Sequence, residues 1–195
     1  MNWFTRTVTA PAVEPLTATE VKTYTHISHA VEDDLIAQWI KAARITAEII
    51  QHRALCTQTL ELVLDCFPGN VFYIPRPPLQ SIESIIYYDT ADTAATFADT
   101  NYYVDAYGGP GRVSLNDGVL WPTTTLRPIN GVIIQYKAGY GVANTVPENV
   151  KQAIYLFCAY CNENRSGEIP DMPGNIQALL RQDKIVIPVD SLDAD

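Results

Sequence analysis

The sequence predicts an α+β protein, in which a small helical bundle formed by N- and C-terminal helices carries a β-rich insertion of short antiparallel strands. Three observations lead there. Apolar residues recur at spacings of three and four over residues 32–53 and again over 147–163, the period of a helix with one buried face. From residue 58 the period drops to two, the mark of strands. The stretch between the two helical regions is punctuated by Pro-Gly-Asn, Gly-Gly-Pro-Gly and Asn-Asp-Gly, which are turn formers.

Residues 1–15 contain Pro11 and Pro15 and little periodicity, so they read as an extended N-terminal arm. Thr17-Ala18-Thr19-Glu20 fits a capping box, in which a Thr oxygen receives a backbone N–H and the Glu reaches back. A short helix over about 18–26 follows, with Val21 and Tyr24 on its apolar side. The long helix, 32–53, presents Leu35, Ile36, Trp39, Ile40, Ala43, Ala47 and Ile50 as its apolar face. Glu32, Asp33 and Asp34 at its start and His52 and Arg53 at its end suit the helix dipole.

In the insertion, Leu60, Leu62, Leu64 and Cys66 alternate with Thr59, Glu61, Val63 and Asp65, as in a half-buried strand. Further strands are expected over 71–74, 82–88, 102–104 and 132–136, with loops over 90–95 and 122–128. A hairpin is expected in which 112–115 and 119–121 flank Asn116-Asp117-Gly118. Pro147 suits the first position of a helix over 147–163, whose stripe is Val150, Ile154, Phe157, Cys158 and Cys161. Asn175 suits the cap of a last helix over 176–182. The organisation is thus an arm over 1–15, a helical core from 16–55 and 145–182, a β-rich insertion over 56–144 and a tail over 183–195. Helices this few need one another across the insertion to be stable.

Composition narrows the function. The chain has 195 residues and a net charge of −9, with only 13 Lys and Arg, which do not cluster. A protein that grips nucleic acid does so through cations that replace phosphate counterions, so tight DNA binding is disfavoured, whereas an acidic surface lets DNA pass without sticking. The 11 Tyr outnumber the 5 Phe and 3 Trp, a balance suited to surfaces both wet and adhesive. The N-terminus shows no signal-peptide run, and no stretch approaches the ~20 apolar residues of a membrane span. Four Cys, at 56, 66, 158 and 161, are too few for a secreted disulfide scaffold, so a reduced intracellular setting is expected.

No motif compels chemistry. Cys158-x-x-Cys161 lies deep inside a predicted helix and not at a helix N-terminus, where the dipole would activate a thiol. No second pair completes a zinc site, so buried packing is the better reading. His26, His29 and His52 form no ligand pattern and read as surface or helix-end residues. Asp33-Asp34 is explained by the helix dipole. Gly108-Gly109-Pro110-Gly111 lacks the Lys-Ser/Thr ending of a phosphate loop, and Pro110 removes an N–H that such a loop needs. Ser81, Ser84 and Ser114 sit in no nucleophile elbow. The expectation is a protein that is not an enzyme and has no catalytic residue, metal or cofactor.

The candidates for interaction are Trp3 and Phe4 in the arm, Arg76, and Ile185, Val186, Ile187 and Val189 in the tail. Arg76 stands between Pro75 and Pro77-Pro78, which are expected to hold an extended backbone; a rigid turn is favoured there over an interface contact. The apolar tail either packs on its own domain or adds a strand to a neighbouring subunit.

Taken in order, PLTATEVKTYTHI, EDDLIAQWIKAARITAEIIQHRAL, TQTLELVLDCFP, IPRPPLQSIESIIYYD, YYVDAYGGPGRVSLNDGVLWP, VIIQYKAGYG and VPENVKQAIYLFCAYCNENR resemble the tailed-phage head–tail connector (adaptor) family, in its long form with a β insert. The resemblance spans about residues 11–165. It implies a homo-oligomeric ring, typically of twelve copies, that docks beneath the portal protein and extends the DNA channel without binding DNA specifically. It also implies a face for the next neck or tail protein, helices that form the ring, and a place in the virion neck, with no membrane involved. A ring needs two complementary faces on each subunit, which extended arms and Tyr-rich strands can supply. The other readings are a stopper or tail-completion virion protein, and a carbohydrate-binding or hydrolase module on the β insert using Asp89, Asp92, Asp99 and Asp105.

Overall fold

In chain order, two helices precede and two follow most of the strands of two antiparallel sheets in a computed structural model that describes residues 2–165, 172–182 and 184. The fold is α+β. Among the described residues the chain divides into two compact units: residues 2–11 with 57–139, and residues 12–56 with those from 140 onward.

The second unit is helical. Helix α1, Ala18–Thr25, starts at the predicted capping box: the Glu20 amide donates to Thr17 Oγ1 at 3.2 Å and the Thr17 amide donates to Glu20 Oε2 at 2.7 Å. It ends at His26, in the left-handed region with φ 57°. Helix α2, Asp33–Gln51, ends in the same way at His52, φ 58°, whose amide donates to the Glu48 carbonyl. These histidines are helix-end residues, as their positions in the sequence suggested.

Helix α3, Glu148–Glu163, and helix α4, Gly174–Arg181, complete the bundle. Pro147 and Pro173 are the N-caps, with extended ψ of 139° and 142°. Pro147 therefore lies just outside its helix, and Pro173 occupies the capping place expected for Asn175. The core joins Ile36, Ile40, Ala43 and Ala47 of α2 to Val150, Ile154 and Cys158 of α3 and Ile176 and Leu180 of α4. Leu35, expected on the buried face of α2, is instead exposed. At 100° per residue it falls on the far side of the helix from Ile40.

The first unit is built on a five-stranded antiparallel sheet. Strand β1, Trp3–Thr9, is the part of the N-terminal arm that pairs with β2, Gln58–Leu64. Strands β3, Val71–Tyr73, β4, Leu79–Tyr88, β5, Ala94–Phe97, β6, Tyr102–Asp105, β7, Arg112–Leu115, and β8, Val132–Ala138, follow. The large sheet has the order β1-β2-β8-β4-β5 and the small one β3-β7-β6.

Three local expectations fail, each for a packing reason. Strand β2 is not half-buried, because Glu61 and Val63 are buried along with Leu60, Leu62 and Leu64. It lies inside the sheet, where Arg6 on β1 and Gln135 on β8 both donate to the Glu61 carboxylate. Residues 94 and 95, read as the end of a loop over 90–95, instead begin β5, which pairs with β4. The expected 112–121 hairpin closes only its turn, with the Val119 amide donating to the Asn116 carbonyl at 3.0 Å. Residues 119–121 do not pair, because Trp121 leaves the strand line to join an aromatic cluster. Its ring lies 4.7 Å from Phe97, 4.9 Å from Phe67 and 6.2 Å from Phe72, linking the large sheet to the small one. Gly111 has to be glycine, since a Cβ there would come within 2.4 Å of Leu79 Cβ.

Candidate functional site

Among the described residues, most of those singled out for chemistry are held by local packing, turns or ion pairs. Cys158 is buried in α3 and burial pushes its thiol up to about 12; burial likewise pushes Cys56 up to about 11, the neighbouring Glu14 adding to the effect. Thiols so shifted stay protonated at neutral pH, the opposite of a redox-active pair. Cys161 is half-buried against the same core and is also shifted up by burial.

The four insert carboxylates do not form one centre. Asp89 accepts the Ala91 and Thr93 amides at 2.8 Å each, closing its own turn. Asp92 pairs with Arg127, whose guanidinium lies 3.9 Å over the Tyr88 ring. Asp105 pairs with Arg112 at 2.8 Å, and its carboxyl is held below the usual range first by the Tyr107 amide and then by Arg112. Asp99 begins a 3-10 turn, Asp99–Asn101. Among the described residues no group of three or more His, Cys, Asp and Glu is placed to hold a metal ion, and no helix is long and apolar enough to cross a membrane.

The interface candidates are placed as follows. Trp3 pairs with Leu64 and Phe4 with Val63 on the outermost strand of the large sheet. Phe4 is 49% exposed and Trp3 half-buried, as successive residues of a strand with one covered face should be. Arg76 is not extended: its φ is 59°, in the left-handed region, which costs a non-glycine residue about 1 kcal/mol. The turn is held from below, because the buried Tyr136 hydroxyl donates to the Pro75 carbonyl at 2.9 Å. This is the rigid turn the sequence favoured, reached by a different backbone angle. Ile185, Val186, Ile187 and Val189 lie outside the described residues.

Two surfaces were not singled out from the sequence. One is the exposed face of the small sheet, where Val71, Ser114 and Tyr103 stand in one row and Tyr73, Arg112 and Asp105 in the next. Val71 is 50% and Tyr103 69% exposed. The other is the outer side of α2, with Leu35, Ile45 and Ile49 exposed. A second apolar period in the same helix was the signal for it, masked because the stronger core stripe overlaps it.

No protein-family model matches the chain. No curated protein matches it. Among solved structures, a chain from the neck of an empty GTA particle computed with C6 symmetry is similar, with TM-score 0.77 and 20% identity over 97% of this chain and 100% of that one. A chain from the virion of a native gene transfer agent (GTA) particle gives TM-score 0.77 and 21% identity over the same shares. A chain from the neck of a native GTA particle computed with C12 symmetry gives TM-score 0.75 and 21% identity, again over 97% and 100%. The α+β fold is thus shared with chains of those particles over 97% of this chain.

Proposed function

We propose that this protein is a structural subunit of the neck of a phage-like particle, a head–tail connector that works by docking and without turnover. The observation that carries the reading is the fold likeness to chains of GTA neck structures, which covers 97% of this chain and the whole of those chains. In this reading twelve copies form a ring beneath the portal protein, extend the DNA channel and offer a face to the next neck or tail protein. Net charge supports it: at −9 per subunit the ring would repel DNA phosphates along the path and let the duplex slide through. The site geometry supports it as well, since Cys56 and Cys158 are packed in the helical core and Asp89, Asp92 and Asp105 are engaged in turns and ion pairs. Exposed Phe4 and the rigid Arg76 turn are the proposed contact points of the β unit, with the apolar tail residues Ile185, Val186, Ile187 and Val189.

Native mass spectrometry of the purified chain, alone and with its portal, tests the reading. Twelve copies on one portal ring are expected. A chain that remains monomeric and leaves portal unbound contradicts it.

A further inference from the structure

The outer face of α2 is apolar where a solvent-facing helix would carry charge. Leu35 is 38% exposed, Ile45 42% and Ile49 58%. With Gln38 and Ala42 they recur at spacings of three and four, a stripe about 21 Å long. The charged residues among the exposed positions of α2 are Asp34 and Lys41 alone. The opposite stripe, Ile36, Ile40, Ala43 and Ala47, is already buried in the helical core. A helix apolar on two sides is built to be covered on two sides.

The same unit offers a groove of about 630 Å³ between α1, α3 and α4. Tyr24, Leu156, Ala159, Tyr160 and Ile176 line it together with the exposed Glu163. Leu156, Ala159 and Glu163 lie on a different face of α3 from the core residues Val150, Ile154 and Cys158, being offset by more than a quarter turn.

We propose that the α2 stripe of one copy docks into the α1/α3/α4 groove of a second copy. The proposal rests on the ring reading and gives it its contact. The ridge is apolar apart from Gln38, and the groove sets Tyr rings and aliphatic side chains beside the polar Thr25, His26, Asn162 and Asn175, the mixed composition of an adhesive, wettable interface. Ala42 in the middle of the stripe and Ala159 in the groove allow two helices to approach closely. Lys41 flanks the stripe and Glu163 the groove, so the charges at the margin are complementary. The two surfaces are different, which makes the contact head-to-tail: each copy gives one face and receives another, and the chain of contacts closes into a ring. Pairing of α2 with α2 would stop at two copies and leave the groove empty.

The test uses the full chain with two variants on exposed or half-buried positions, I45D/I49D in the stripe and A159E in the groove, followed by light scattering and native mass spectrometry. Circular dichroism checks that each is folded. Wild type should assemble. Each variant alone should associate at least about thirtyfold more weakly, the loss of one hot-spot contact. An equal mixture should give a dimer and nothing larger, because only one intact stripe and one intact groove remain. If either variant fails to fold, the surface reversals K41E and E163K take its place; each alone sets like charges against each other and should weaken assembly, and the two mixed should restore it, because alternating copies pair Lys with Glu at every contact. Rings that persist in I45D/I49D and in A159E overturn this contact while leaving the ring reading intact. A wild-type chain that assembles neither alone nor on its portal overturns both.

Discussion

Arg44 and Glu14, thirty residues apart, meet inside the helical unit with Nε 2.6 Å from Oε2. Arg44 also holds Glu48 at 2.9 Å, and Glu48 in turn accepts the Leu55 amide at 2.9 Å. One buried guanidinium thus ties the segment before α1 to α2, and through Glu48 to the segment that follows α2. Arg44 and Glu48 side chains are 4% and 7% exposed, so neither charge has water to fall back on.

Arg44→Met should therefore destabilise the protein by about 3 kcal/mol, the cost of leaving a buried carboxylate without its cation. Glu14→Gln should cost about 1 kcal/mol, because Glu14 is 28% exposed and keeps a hydrogen-bonding oxygen. Urea denaturation of both variants, read from the midpoint at unchanged slope, checks the ranking.

The capping box of α1 gives a pH-dependent contribution. The Thr17 amide, and then the Thr17 hydroxyl, hold the Glu20 carboxyl below its ordinary value. A depressed folded-state pKa means stability that is present above the unfolded value, near 4.3, and lost as pH falls through the lower folded-state value. Thr17→Ala should cost about 1 kcal/mol at neutral pH. Glu20→Gln should flatten this helix's contribution across the acid range, which thermal melts between neutral and acid pH would reveal.

The thiols should differ in reactivity by burial. Cys66 is exposed, whereas Cys56 and Cys158 are buried, with thiols pushed up to about 11 and about 12. Alkylation of the native protein at neutral pH should label Cys66 first and reach Cys56 and Cys158 only on unfolding. Peptide mapping by mass spectrometry reads the order, and early labelling of Cys158 would refute its packing role.

Trp121 should be the main link between the two sheets of the β unit. Trp121→Ala removes ring contacts to Phe67, Phe72 and Phe97 and should cost about 3 kcal/mol, within the usual range for a truncated aromatic. Loss of near-ultraviolet circular dichroism with retained far-ultraviolet signal is the expected signature.

The elements that could be read from sequence are those whose cause is local. The Thr17–Glu20 box, the α2 core stripe and the Val150–Ile154–Cys158 stripe were legible because cap and period act within a few residues. β5 and the unpaired 119–121 segment were not, because their state depends on β4 and on an aromatic cluster drawn from distant strands. Burial of Glu61 was hidden too, since only the pairing of Arg6 and Gln135 around it makes a carboxylate tolerable there. At Arg76 the sequence showed a rigid turn but not its left-handed backbone, which the Tyr136–Pro75 hydrogen bond fixes from another strand. Of the candidate surfaces, the outer α2 stripe and its groove required the packed bundle.

The most direct test of the neck assignment is cryo-electron microscopy of particles carrying this protein. Density for a ring of its copies, matching this α+β fold, should lie at the junction of head and tail. Particles in which that junction is filled by other chains, with this one absent or located elsewhere, would contradict the assignment.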